Sequence, residues 1–164
     1  MAVITIDGKE IDTDENNKLN LRLKNGSQIK ATSAASDAGR SEAVSLLLID
    51  EAAFIENIGE IWASAQQTLA TGGGCIALST PYGTGNWFHQ TWVRAENKEN
   101  DFLPIKLPWF VHPERDQAWR DRQDELLGDP RMAAQECDCD FSTSGDIVFY
   151  SEWIDFIQQT TIQK

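Results

Sequence analysis

The chain has 164 residues, of which 41% are hydrophobic and 24% charged, so we expect a globular protein of one domain with a substantial core. Its formal net charge of −12 argues against this chain alone gripping a nucleic-acid backbone, which requires clustered lysine and arginine. No apolar run is long enough to cross a membrane and no secretory signal opens the sequence, so we expect no membrane partner. The chain has three cysteines, an odd number, which favours reduced thiols over a disulfide framework.

The N-terminal region predicts an antiparallel hairpin. Residues 1–18 are mostly polar and acidic, and we expect them to form a loosely held segment that precedes the folded domain. Residues 19–24 alternate apolar and polar side chains, as a half-buried strand does. Asn25-Gly26 follows, which is the strongest short sequence signal for a hairpin turn, and residues 27–32 are the expected partner strand.

A loop of small and polar residues is predicted over 33–45, with Arg40 as its only cation. Beside the carboxyl edge of a sheet, an arginine in such a loop can come close to phosphates, because its guanidinium fork matches their oxygens. A solvated surface arginine is the simpler alternative.

The next segment predicts a central strand followed by paired acids. Leu46–Ile49 is an uninterrupted run of large apolar residues, typical of a parallel strand that is buried on both faces. Asp50 and Glu51 follow directly, at the strand end where ligands bind in open α/β sheets. This pattern has the form of a Walker B segment, in which the first acid holds Mg²⁺ and the second orients or deprotonates the attacking water. The alternative is a polar strand end without a chemical role.

A helix and a second strand are predicted next. Asn57 is a suitable helix N-cap, apolar residues then recur at helical spacing, and three glycines at 72–74 end the helix. Residues 75–78 are the next buried strand, which ends in Ser79 and Thr80. Small hydroxyl groups at this strand end can reach a γ-phosphate or its water, or relay that contact to a neighbouring domain. A strand end capped by serine and proline is the alternative.

The last third predicts mainly helices. Asn86 caps a helix with an aromatic stripe, and residues 101–107 predict a strand that Pro104 makes irregular or an edge. We expect one helix to begin at Pro113 and another at Pro130, since proline is favoured at the first helical position, and a short strand at Phe141. The cysteines at 137 and 139 lack the histidine spacing of a metal site.

Taken in order, these segments resemble the ATPase domain of the large terminase subunit, the DNA-packaging motor of tailed bacteriophages and related viruses. The matching segments are the hairpin at 23–29, the arginine loop at 37–40, the Walker B strand at 46–55, the coupling segment at 79–83 (motif III of the family) and the close of the domain at 135–145. Each motif alone is short, but the ordered set is fairly specific.

The resemblance implies an α/β fold: a three-layer P-loop NTPase-like (ASCE or RecA-like) arrangement with a mostly parallel sheet and flanking helices. It implies ATP hydrolysis with Mg²⁺, coupled to DNA translocation into a capsid in the host cytoplasm, with other terminase subunits, the portal, the procapsid and DNA as partners. By match, Asp50 would bind Mg²⁺, Glu51 would activate water and Arg40 would face phosphates. Ser79 and Thr80 would belong to the coupling motif that links hydrolysis to movement.

The sequence departs from the family in two respects. It contains no P-loop motif G-x-x-x-x-G-K-[ST], and the acidic metal cluster of the family's nuclease domain is absent. We therefore expect residues 19–145 to be a partial ATPase domain that lacks the P-loop half, and residues 146–164 to be a linker or tail toward a nuclease domain.

Three hypotheses follow from these departures. The chain is a piece of a packaging ATPase that a P-loop-bearing partner completes, a non-catalytic assembly module that retains the scaffold, or a fragment of another helicase-like ATPase. In each case we expect the central strand to stay buried, with self-association or a complementary fragment covering the sheet edge or the vacated face.

Overall fold

The computed structural model describes residues 5–6, 9–10, 12–33, 44–69 and 72–142. The strands are β1 (Thr5–Ile6), β2 (Lys9–Glu10), β3 (Thr13–Asn16), β4 (Asn20–Leu23), β5 (Gln28–Lys30), β6 (Leu46–Ile49) and β7 (Gly74–Ala77). The helices are α1 (Ile58–Leu69), α2 (Trp87–Glu96), α3 (Gln117–Leu127) and α4 (Pro130–Asp138), and short 3₁₀ turns occupy Ala52–Phe54 and Trp109–Val111. This mixture of strands and helices confirms the α/β class.

The predicted hairpin is confirmed as β4 and β5, which pair antiparallel. Its turn places Gly26 at φ 87°, a left-handed conformation that glycine adopts without a steric penalty, and the Gly26 N–H donates to the carbonyl of Leu23 at 2.9 Å. β3 pairs antiparallel with the other side of β4. Residues 13–16 therefore take part in a three-stranded sheet, although we expected a loosely held segment there.

A turn that the sequence analysis overlooked explains the position of β3. The side-chain oxygen of Asn17 accepts hydrogen bonds from the backbone N–H groups of Leu19 and Asn20, both at 2.9 Å. An asparagine that bonds to backbone groups two and three residues ahead reverses the chain locally. The reversal brings β4 back alongside β3, and the two strands pair antiparallel.

The central sheet consists, among the described strands, of β6 and β7. They pair in parallel and in register, with Leu46 opposite Gly74 and Ile49 opposite Ala77. α1 connects them, and its inward side chains are buried, as the helical spacing predicted; these are Ile58, Ile61 and Ala65. The connection needs glycine at position 73, because a Cβ there would overlap the carbonyl oxygen of Val44 and approach Leu69 Cδ2 to 2.8 Å.

One expectation about β6 was wrong: the strand is buried on one face only. Ile49 is 6% exposed, whereas Leu46 and Leu48 are 59% and 60% exposed. On the covered face Ile49 forms a buried cluster with Ala52 and Ile58, and Trp62 of α1 and Trp87 of α2 pack against this cluster. No described element covers the other face, so its leucines remain in contact with solvent.

α2 begins where the sequence predicted. The side chain of Asn86 accepts from the backbone N–H of His89, which caps the helix. The ring of Phe141 lies 6.0 Å from those of Phe88 and Trp92. Phe141 therefore packs on α2 instead of forming the short strand that we expected, and residues 101–107 likewise have no strand partner among the described residues.

α3 and α4 form a helix pair joined by ion pairs of Arg120, a residue of intermediate burial. Arg120 on α3 donates to both carboxylate oxygens of Asp138 at the end of α4, at 3.2 and 2.9 Å, and also to Asp124. The Arg120 side chain is 11% exposed. α4 starts at Pro130 as predicted, but α3 starts at Gln117, not at Pro113, because the side chain of Asp116 caps it.

In the part of the chain that the structure describes, no helix has the length and apolar character needed to cross a membrane.

Candidate functional site

The paired acids lie exposed at the carboxyl end of β6. Asp50 Oδ1 accepts the backbone N–H of Glu51 at 3.0 Å. Neither carboxylate forms an ion pair with a residue that the structure describes. Both side chains are exposed to solvent, so their oxygens are accessible to a cation or a ligand.

Glu51 has an unusual backbone conformation. Its φ is 52° and its ψ is 40°, in the left-handed region that costs a residue with a side chain about 1–2 kcal/mol. The turn that follows fixes this geometry, since the N–H of Ala52 donates to the carbonyl of Leu78 at 3.0 Å and that of Phe54 to the carbonyl of Glu51 at 2.9 Å. Such strain persists where the surroundings determine the backbone, and it occurs often at functional sites.

Ser79 joins the ends of the two parallel strands. Its hydroxyl oxygen accepts the backbone N–H of Ala53 at 3.2 Å, and Leu78 just before it donates its N–H to the carbonyl of Ile49 at 3.0 Å. The pairing of β6 and β7 thus continues past their last regular residues. This bond connects the turn after Glu51 to the end of β7.

The structure brings most of the predicted site residues together. Asp50, Glu51 and Ser79 meet at one edge of the sheet, and Thr80 follows half-buried, ahead of a fully buried Pro81. Arg40 lies outside the described residues.

Sequence reasoning missed a pair of aromatic side chains at the same edge. The rings of Phe54 and Tyr82 lie 4.6 Å apart, and the two residues are 43% and 46% exposed. One aromatic residue follows each strand end by a few positions. That spacing was the sequence signal for the pair, because parallel strand ends share an edge.

The groups at this edge that could contact a divalent cation are the exposed carboxylates of Asp50 and Glu51. Among the described residues, no three histidine, cysteine or acidic side chains are grouped to hold a metal by themselves. Mg²⁺ commonly uses one or two carboxylates together with substrate phosphates and water, and the exposed oxygens of Asp50 suit that partial role. The cysteines fit a metal less well, because burial raises the pKa of Cys137 and Cys139 and metal binding needs the thiolate.

The chain was compared with models of known protein families, and none of them matches it.

Proposed function

We propose that this chain is part of a viral DNA-packaging terminase ATPase and carries its Walker B and coupling segments, within a three-layer P-loop NTPase-like fold. One observation carries the proposal: exposed paired acids end β6, and a hydrogen bond from the Ala53 N–H to the Ser79 hydroxyl ties them to the end of β7. Ligands of parallel sheets bind at this edge. The ordered resemblance of the surrounding segments to the terminase family supports the same function.

Each residue has a defined role in this proposal. Asp50 would offer a carboxylate oxygen to the Mg²⁺ of MgATP, and this ion would offset the charge of the phosphates. Glu51 would accept a hydrogen bond from the attacking water, and its left-handed backbone places the residue at the edge of the sheet. Ser79 and Thr80 would belong to the coupling segment, and the resemblance gives Arg40 the role of a phosphate-facing arginine.

The site also needs a phosphate-binding loop. The printed sequence has no G-x-x-x-x-G-K-[ST] motif, so in this proposal a P-loop-bearing half supplies the backbone cradle and its lysine. Other terminase subunits, the portal, the procapsid and DNA would complete the motor in the host cytoplasm.

Paramagnetic NMR tests whether the paired acids hold a metal. Mn²⁺ alone, added to ¹⁵N-labelled chain, should broaden the amide signals of residues 51–53 and Ser79 before most others, because the carboxylates of Asp50 and Glu51 are the groups tested. Asp50→Asn should remove this local broadening, whereas Glu56→Gln, an exposed acid beyond the turn, should leave it unchanged. Broadening that persists in Asp50→Asn would contradict the assigned metal ligand.

A phosphate-release assay tests whether the site is incomplete. We expect no appreciable ATP hydrolysis by the purified chain, because the lysine and backbone cradle of the P-loop supply much of the electrostatic stabilisation. Mg²⁺-dependent hydrolysis that Glu51→Gln abolishes would show that the chain has another phosphate site of its own.

A non-catalytic assembly module is the second candidate. The open apolar face of the central sheet favours it, because exposed apolar patches of this kind mark interaction surfaces. Unaltered partner binding and virus assembly in an Asp50→Asn, Glu51→Gln double variant would favour this function over hydrolysis.

A further inference from the structure

The open side of the parallel sheet is an apolar face built by both strands. Leu46 and Leu48 of β6, Ile76 of β7 and the adjoining Leu78 are 59%, 60%, 48% and 42% exposed. Leu48 lies opposite Ile76 in the register, and side chains alternate along each strand, so these four side chains lie on the same side of the sheet. We call this set the open sheet face.

The physical chemistry of parallel strands indicates what kind of element covers this face. Parallel sheets occur almost only with both faces covered, and helices are the elements that cover them. On the opposite face α1 and α2 have this role, through Trp62, Trp87 and Phe88. An amphipathic helix is therefore the cover that fits the open sheet face.

The charge around the face indicates which partner supplies that helix. Asp50 and Glu51 lie exposed where β6 ends, without an ion pair among the described residues, and the whole chain has a net charge of −12. A second copy of the chain would bring the same negative charge and the same two acids to the contact, and like charges across an interface are unfavourable. A helix that carries lysine or arginine beside its apolar stripe would complement both features.

We propose that the open sheet face binds an amphipathic helix of a basic partner polypeptide, with its apolar stripe on Leu46, Leu48, Ile76 and Leu78 and its cations attracted by the chain's net charge of −12. This surface goes beyond the proposed function, because the inference applies whether or not the partner also carries a phosphate-binding loop. Apolar contact supplies the affinity and the cations set the orientation, whereas the like negative charges of two chains disfavour a second copy.

Two synthetic helical peptides serve as probes for the intact chain. Both have leucine at helical spacing on one face; one has lysine elsewhere and the other glutamate. In fluorescence anisotropy, the leucine–lysine peptide should bind and the leucine–glutamate peptide should not. Leu48→Ser with Ile76→Ser should weaken binding by roughly tenfold or more, the loss expected when apolar anchors are truncated.

Leu126→Ser is the matched control, because this leucine is 78% exposed on α3 and lies outside the face. It should bind the leucine–lysine peptide as the wild type does, and circular dichroism should show both variants folded. Equal binding by all three proteins would overturn the proposal in favour of unspecific charge attraction. Failure of the wild type to bind the leucine–lysine peptide would also overturn the proposal. Concentration-dependent self-association of the wild type in sedimentation would overturn it too, because it would identify a second copy as the occupant.

The outcome is separable from that of the nucleotide site. Leu48→Ser with Ile76→Ser leaves Asp50 and Glu51 in place, so the Mn²⁺ broadening of residues 51–53 should survive in this variant. Loss of peptide binding with preserved broadening would support the surface independently of the proposed hydrolysis.

Discussion

Glu51 combines a chemically useful side chain with a backbone that glycine would adopt more easily. Its left-handed conformation places a charged residue where φ is 52°, and neighbouring backbone hydrogen bonds hold it there. A glycine would relieve the steric cost but remove the carboxylate. The retained strain is what one expects where a side chain matters more than local stability.

Glu51→Gly should leave the free energy of unfolding unchanged or raise it by up to about 1 kcal/mol, because relief of the left-handed strain outweighs the added freedom of the unfolded chain. Glu60→Gly, at an exposed position in the first turn of α1, should instead lower it by about 1 kcal/mol. Urea denaturation of the two variants measures both changes. Equal destabilisation by the two substitutions would show that Glu51 is not strained.

Gly73 and Gly59 offer a second comparison at the residue scale. Gly73→Ala should lower the free energy of unfolding by roughly 1–3 kcal/mol, since the new methyl group would overlap the carbonyl oxygen of Val44. A Cβ at Gly59 in α1 meets nothing within 4 Å, so Gly59→Ala should be neutral or stabilising by up to about 1 kcal/mol. Thermal unfolding of both variants gives the ranking, and a harmless Gly73→Ala would mean that the chain at Val44 and the residue before β7 move apart easily.

Among the elements, α3 and α4 are joined by the ion pair between Arg120 and Asp138, in which the Arg120 side chain is only 11% exposed. Arg120→Lys should lower the free energy of unfolding by roughly 1–3 kcal/mol, because lysine cannot reproduce the two-pronged hydrogen bond to Asp138. Arg122→Lys, on the same helix but exposed, should change it by less than about 0.5 kcal/mol. Urea denaturation of the two variants should separate them, and a small effect at position 120 would assign the helix contact to apolar packing alone.

The elements also show which local rules could be applied to the sequence. Asn86 and Pro130 marked the starts of α2 and α4 correctly, because a helix start is determined by interactions among residues only a few positions apart in the chain. At α3 two local rules competed: Pro113 suited a first helical position, but Asp116 provides the actual side-chain cap. The turn at Asn17 was missed because its bonds to backbone N–H groups form only with that particular side-chain orientation.

The candidate site was predictable to the extent that it is local in sequence. Asp50 and Glu51 are adjacent in the chain, and a parallel pairing of the strands was enough to place Ser79 nearby. The conformation of Glu51 and the bond from Ala53 to Ser79 arise from contacts between segments about 26 residues apart, which periodicity does not encode. The same holds for the open sheet face, since a run of leucines gives no information on how many layers surround it.

At the scale of the whole molecule, the charge determines the behaviour toward nucleic acid. We expect weak binding to duplex DNA near about 150 mM salt, because a net charge of −12 opposes contact with phosphates. Fluorescence anisotropy across a salt series measures it. Submicromolar affinity would reveal a local basic surface that outweighs the overall charge.

The bonds that join the two strand ends have a consequence for hydrogen exchange. The N–H of Ala52 donates to the carbonyl of Leu78 and that of Ala53 to the hydroxyl of Ser79, so separation of the ends of β6 and β7 would expose both amides to exchange. Their exchange rates therefore report the free energy of opening this one edge, apart from global unfolding. A ligand that holds Asp50 and Glu51 in place would slow the exchange of both amide protons. The exchange rates of Ala52 and Ala53 would therefore report whether the site is occupied, although neither residue contacts the ligand.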